Sequence, residues 1–377
     1  MAATSPPATL KPPMRVRCFR LLCFFALFCL LPANSLWAQG SASGQGTVPA
    51  ILMSDIHFDP FHNPRLVPQL RALPIERWPA ILDGGNGLKA DADLAALEVA
   101  CRSPRLDSSW FLLKNALHAA RDAEPHPAFV TLGGDLLTHQ FQCRFEKVVP
   151  GAGPADMGMF AAKTIAFVGM EMRLAFPHVP VYITLGNNDS GCSDYRETAG
   201  SPFMQSASNT MIRAAAQAGT PRAAALLQAS SSPEGDYSVL LPAPLQRGRL
   251  IVLQDIFDAS WYGPCGVSPY SRVQEQQQIA WLRAQLNAAR ARHEQVWVLG
   301  HIPPGVDVYG SYAKYVLRPH DLCSAPINML FADTALVDTL LDFADIVRLG
   351  LFAHTHMDEV RLLRLSLIHI SEPTRPY

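Results

Sequence analysis

A layered α/β fold with one large domain is the architecture this sequence predicts, on three observations. Five apolar runs each end in a cluster of Asp, Asn or His: Ile51-Leu52-Met53 before Asp55 and His57, Phe129–Leu132 before Asp135, Val181–Leu185 before Asn187-Asn188-Asp189, Val296–Leu299 before His301, and Leu351-Phe352 before His354 and His356. Short apolar runs bounded by turn residues read as buried strands. Polar groups gathered at strand C-termini are how open α/β sheets build their sites. The second observation is an amphipathic helix at Gln274–Arg292 that leads straight into the run at Val296–His301, a step typical of layered α/β folds. The third is the reach of the pattern: potential ligands are spread from Asp55 to His356, so a single domain has to collect them.

The elements follow in order. Residues 1–38 read as a secretory signal peptide, with Arg15, Arg17 and Arg20 ahead of the apolar core Leu21–Leu31 and a cleavage end near Ala38. The alternative is an uncleaved anchor. Residues 39–48 form a Gly/Ser linker, and 49–365 the domain. The first strand ends at Ser54, and strand alternation puts Asp55 and His57 on one side, where a carboxylate and an imidazole can hold a divalent metal. Helical spacing marks Asp91–Ala100 and Ser109–Ala123, the second capped by Ser108 or Ser109. The second motif strand, Phe129–Leu137, carries Asp135 at its tip, with His139 four residues later facing the site. Pro154–Phe176 is a long amphipathic helix whose Met and Phe stripe is core.

Residues 200–229 read as Ala-rich helix, and Tyr237–Leu241 and Arg249–Gln254 as strands. Asp255 and Asp258 sit at a loop end beside the site without being ligands. Tyr309, Tyr312 and Tyr315 read as packing residues, with a substrate groove as the other option. Val337–Ile346 is helical, Val347–Phe352 the last motif strand, and Glu359–Leu365 a return strand. Residues 366–377 continue no pattern and read as a non-native tail, which carries with it the expectation that the natural C-terminus is missing.

Composition narrows the classes of function. The 377 residues are 49% hydrophobic and 17% charged with net charge −1, so no basic field points to nucleic acid. After removal of the leader, Cys101, Cys143, Cys192, Cys265 and Cys323 remain. None has the C-x-x-C spacing of a zinc or redox site, and export makes them structural disulfide partners, one of them left over. The chain reads as secreted or periplasmic, with no stable membrane span once mature. No G-x-S-x-G and no P-loop supports a serine hydrolase or an NTPase.

The ordered set Asp55-x-His57, Gly134-Asp135, Gly186-Asn187-Asn188-Asp189, Gly300-His301 and Ala353-His354-Thr355-His356 resembles the calcineurin-like metallophosphoesterases. Ser54–Pro60, the His139 that follows Gly134-Asp135, and Gly191-Cys192 after the Asn-Asn-Asp resemble the acid sphingomyelinase-like phosphodiesterase branch. The likeness runs from about Ala50 to about Arg364. Two positions depart from it: Asn188 stands where the family has a histidine, and Ala353 where it has a glycine.

The resemblance implies two packed mixed β-sheets flanked by helices, with a two-metal site at the strand ends. One metal would be held by Asp55, His57, Asp135 and His356, the other by Asp135, Asn187, His301 and His354. Oxygen and imidazole donors without thiolates suit zinc, with manganese or iron as other candidates. The implied reaction is hydrolysis of a phosphodiester, on a phosphorylated small molecule or lipid headgroup, through in-line attack by a hydroxide bridging the metals. Asn188 cannot protonate a leaving group but can donate to a phosphoryl oxygen, so His139 becomes the general acid. A phosphoanhydride such as polyphosphate or a nucleotide is the alternative substrate, and a non-catalytic metal-binding module the second alternative.

Overall fold

The computed structural model describes residues 47–84, 88–103, 107–219, 221–245, 247–266, 272–308, 310–311 and 327–363. The expected leader at 1–38, most of the linker, Tyr309, Tyr312, Tyr315, Cys323 and the tail at 366–377 lie outside the described residues. Every described strand and helix belongs to the compact unit that begins at Val48.

The described strands form two sheets. In the first, β1 (Ile51–Met53), β2 (Val130–Gly133) and β3 (Val181–Thr184) lie side by side, all parallel. In the second, β4 (Tyr237–Leu240) is antiparallel to β5 (Gly248–Val252), and β6 (Gln295–Leu299) and β7 (Val347–Leu351) continue in parallel. β2 and β3 are buried at every residue, which is why they are written as unbroken apolar runs and not as alternating ones.

The sheets are joined at β3. The buried Tyr237 phenol of β4 accepts from the Ile183 amide at 2.9 Å and donates to the Ile183 carbonyl at 2.9 Å. Gln254, just past β5, takes the Leu185 amide on its Oε1 at 2.7 Å. The outer edge of β3 is thus satisfied by side chains of the second sheet, which prevents both slippage and outside pairing. Phe129 and Trp297 meet edge-on between the sheets.

Helices cover the outer faces. Trp110–Ala123 opens on Ser109, whose Oγ accepts the Leu112 amide at 3.2 Å; of the two caps the sequence offers, this is the one used. Pro154–Ala175 buries Phe160, Ile165, Phe167, Val168 and Met172, and Phe167 packs against Phe58, Trp78 and Trp110. The single helical stretch expected at 200–229 is two helices, Pro202–Ala215 and Pro221–Ser230, broken at Gly219 and restarted on a proline. The return strand expected from Glu359 does not form in the described residues; Arg361 instead reaches back to donate to the Pro304 carbonyl at 2.8 Å. The short helix Phe141–Val148 has no counterpart among the expected elements, because eight residues give too little periodicity to recognise.

Disulfides Cys101–Cys143 and Cys192–Cys265 close loops of 42 and 73 residues, pairs the sequence alone leaves open. In the chain-entropy picture each is worth roughly 4 kcal/mol.

The second sheet rests on buried carboxyls. Asp236 accepts from the Gln254 amide, Gln278 Nε2 and Ser232 Oγ, each at 2.8 Å, yet burial pushes its carboxyl up to about 7. Its folded pKa lies above the unfolded value of 3.8, so the native state holds the extra proton between the two. Stability from this group is therefore full below the unfolded pKa and lost as pH rises towards 7, by up to ~1.4 kcal/mol per pH unit. Urea unfolding measured from pH 4 to 7 should show a shallower slope in Asp236→Asn than in the parent chain.

Candidate metal centre

Five loops bring the motif residues together, one from each strand end. β1 stops at Met53, and neither Asp55 nor His57 lies in extended backbone: their φ angles are 50° and 44°. Strand alternation is therefore not the cause of their proximity. The loop is instead clamped to its neighbour, the Asp55 amide donating to Gly134 O at 3.0 Å and the His57 amide to Asp135 O at 2.9 Å. Asp135, His354 and His356 also have positive φ, at 52°, 71° and 53°. Left-handed backbone at five non-glycine residues of one site is strain that the surrounding hydrogen bonds must hold.

The side chains form two groups joined by one carboxylate. In the first, Asp55 Oδ1 is 3.3 Å from His356 Nε2, His356 Nε2 is 3.3 Å from His57 Nε2, and His57 Nε2 is 3.6 Å from Asp135 Oδ2. In the second, His301 Nε2 is 3.4 Å from Asp135 Oδ2, 3.1 Å from Asn187 Oδ1 and 3.2 Å from His354 Nδ1. Asp135 thus stands between the groups, as the bridging role requires. Gly186 permits this: a Cβ there would lie 2.1 Å from Asp135 Oδ1.

The donor set fits a pair of cations. His57 donates through Nδ1 to the Leu137 carbonyl at 3.0 Å, and His301 through Nδ1 to the Gly133 carbonyl at 2.8 Å. Each imidazole therefore turns an Nε2 lone pair inward, fixed by a backbone acceptor on its far side. Inward-facing lone pairs on nitrogens and oxygens about 3 Å apart repel one another unless a proton or a cation lies between them. The charges agree. Burial alone would raise the Asp135 carboxyl, but His301 and His57 hold it well below the usual carboxylate range. Burial would lower His301, but Asp135 beside it raises it to about 10; His354, buried next to His301, falls to about 4.

Both candidate catalytic residues border these groups. The His139 ring stacks on His57 with centroids 4.0 Å apart, and its Nδ1 is 2.6 Å from Asp107 Oδ1. That hydrogen bond raises the His139 imidazole and holds Asp107 below its usual range. Asp107 is held in turn by Arg144, which is buried and also reaches Asp59 at 3.0 Å and Ser103 Oγ at 2.8 Å. Asn188 donates to Asp135 twice, from its amide to Oδ1 and from Nδ2 to Oδ2, both at 2.9 Å.

Four supporting residues escape sequence reasoning. Asp107 lies in a stretch without periodic pattern, so nothing local marks it. Tyr195, whose OH is 3.1 Å from His354 Nε2, reads as an ordinary loop aromatic. Asp189 closes the Asn-Asn-Asp motif, but the motif alone reveals no role for it; it accepts the Leu136 and Leu137 amides on Oδ1 and the Gly186 amide on Oδ2, each at 2.8 Å. Asp255, to the sequence only a nearby loop end, accepts the His301 amide at 2.9 Å and the Ile302 amide at 3.0 Å. Asp189 and Asp255 thus tie down the loops that carry Asp135, Asn187 and His301.

Two facing sheets with paired oxygen-imidazole groups joined by one aspartate at their strand ends make a candidate two-metal centre. The chain is similar in sequence to acid sphingomyelinase-like phosphodiesterases. It is 26% identical over 199 residues to the acid sphingomyelinase-like phosphodiesterase 3b of Mus musculus, a match covering 53% of this chain and 39% of that protein. The Homo sapiens protein of the same name is 25% identical over 199 residues, with the same coverage. Sphingomyelinase phosphodiesterase D of Dictyostelium discoideum is 23% identical over 258 residues, 68% of this chain and 49% of that one. The chain spans between two fifths and one half of these relatives' length. No family model matches it. Among solved structures, a dimetal phosphatase from Danio rerio covers 82% of each chain at 14% identity, with a TM-score of 0.42.

Asp189→Ala strips the acceptor from three buried amides, and at ~1–3 kcal/mol for each orphaned group the loss should be at least ~3 kcal/mol. Chemical denaturation of the mutant chain is the check.

Proposed function

We propose that this chain is a secreted, metal-dependent phosphodiesterase. The observation that carries the reading is the place of Asp135 between two three-residue groups: it belongs to Asp135-His301-His354, which Asn187 completes, and its Oδ2 lies 3.6 Å from His57 of Asp55-His57-His356. Two divalent cations there, zinc being the choice the donors favour, would lower the pKa of a water and neutralise a phosphoryl group. The protein's own part is to hold and orient. Asp55, His57, Asp135, Asn187, His301, His354 and His356 are the proposed ligands. Two disulfides support an oxidising compartment, hence a secreted or periplasmic location, with 1–38 as the leader. No described helix is long and apolar enough to cross a membrane.

His139 is the proposed general acid. Asp107 takes its Nδ1–H, which leaves Nε2 to meet the leaving-group oxygen and raises the pKa of the ring. Asn188 carries no proton to give, and both of its nitrogens are committed to Asp135. That observation favours a second reading, a phosphoanhydride hydrolase, because anhydride leaving groups need little protonation.

The test is release of product from bis-p-nitrophenyl phosphate, sphingomyelin, ATP and polyphosphate, with and without EDTA. EDTA-sensitive cleavage of a diester is the expected result. Preference for ATP or polyphosphate selects the second reading, and bound metal with no turnover selects a binding module. His139→Gln should lower kcat by ~10²–10⁴ on an alkyl diester and far less on the p-nitrophenyl ester, whose leaving group departs unaided. Tyr195→Phe removes the partner of His354 and should weaken zinc retention by ~10-fold or more in a chelator competition, with the melting temperature of the metal-free protein little changed.

A further inference from the structure

Asn188 has a second neighbour besides Asp135. It forms one wall of a cleft of about 320 Å³ that opens beside the metal centre. Phe141 and Met157, both buried, lie at its apolar base. Gln140, the residue after His139, lies at its rim with Gln142, Glu146, Ser193 and Asp194. Gln142 Nε2 donates to Glu146 Oε1 at 2.8 Å, and Asp194 Oδ1 accepts Asn187 Nδ2 at 2.8 Å. Among the described residues, none that lines the cleft is a lysine, arginine or histidine.

Each side of the cleft is stapled. Cys143 and Cys192 both line it, and each is bonded to a distant segment, at Cys101 and Cys265. A cleft whose walls are cross-linked is already shaped before a ligand arrives, so little ordering is needed on binding. Its place next to His139 and Asn188, outside the cluster of metal-facing groups, is where the departing half of a phosphoryl substrate would lie.

We propose that this cleft is the leaving-group subsite and that its carboxylates select a neutral or cationic alcohol over a polyanionic group. This rests on the phosphoesterase reading and sharpens it. The metal-facing groups would take the phosphoryl, and the cleft would take what is expelled. A diester expels an alcohol, neutral once protonated or cationic if it carries an ammonium. An anhydride expels a phosphate that would face Glu146 and Asp194, and the described lining holds no basic residue beyond the neighbouring His139 to offset them. Amide and hydroxyl groups from Gln140, Gln142 and Ser193 suit a hydroxylated alcohol by hydrogen bonding. The cleft thus argues against polyphosphate and nucleotides even though Asn188 taken alone favours them.

The test uses the full chain loaded with zinc and the methyl esters of two benzylphosphonates, whose P–CH2 link replaces the scissile P–O–aryl bond, one bearing a para-trimethylammonium and the other a para-sulfonate. Their binding is measured by calorimetry, and turnover of bis-p-nitrophenyl phosphate is followed in parallel. The expected result is at least tenfold tighter binding of the ammonium ester. That preference should shrink several-fold in Glu146→Gln and reverse in Glu146→Lys. Glu146 is exposed, so the variants keep the fold. Equal binding of the two esters, or a preference that Glu146→Lys does not alter, overturns the proposal whatever the turnover. Loss of the phosphodiesterase reading would show separately, as no EDTA-sensitive release of p-nitrophenol.

Discussion

Asp135 is the side chain on which the other parts of the site depend. It is almost wholly buried, and its two oxygens meet His57, His301 and both nitrogens of Asn188. A carboxylate buried without partners carries a large penalty, so it exists here only because positive charge is gathered around it. Without cations, His301 supplies that charge by holding a proton. Bound cations would supply it instead, with the imidazoles as neutral ligands. The same carboxylate therefore explains the raised pKa of His301 and the glycine at 186 that lets the third strand's loop come close.

Around this centre the fold uses buried carboxylates to hold backbone rather than to pair charge. Asp189 and Asp255 each take amides of the loops that deliver ligands, and neither is a ligand itself. Burial pushes both up to about 7, which marks how poorly solvated they are. Such groups fix the ligand loops to one another across the two sheets: Asp189 spans the ends of β2 and β3, and Asp255 the ends of β5 and β6. Tyr237 and Gln254 do the same for the sheets themselves. Rigidity at a site of this kind matters because transition-state stabilisation depends on donors already in place.

The chemistry divides on the two flanks. On one, His139 is aligned by Asp107, and Asp107 by the buried Arg144, in a chain that ends near the Cys101–Cys143 bridge. On the other, His354 rests on Tyr195, whose ring meets Trp261 edge-on in the loop held by Cys192–Cys265. Each disulfide thus lies behind one working histidine. Asn188 carries no proton to give, and the cleft beside it is lined with neutral and acidic groups.

Much of this is legible in the sequence. Buried parallel strands such as β2 and β3 must be apolar throughout and must stop where the chain meets solvent or a site, so their runs and polar ends can be read without coordinates; β1 and β7, although partly exposed, end in the same polar clusters. The long helices at 110–123 and 154–175 announce themselves through a 3.6-residue period, and Ser109 through its cap. Tertiary structure alone decided what depends on distance between remote segments. Asp55 and His57 converge through left-handed turns, which no strand pattern encodes. Asp107 meets His139 from 32 residues away, and Tyr195 meets His354 from 159. The partner of each bridged cysteine is likewise a product of packing. Local sequence records what a residue's own backbone prefers; a site is set by which loops the core brings face to face, and that information is distributed over the whole chain.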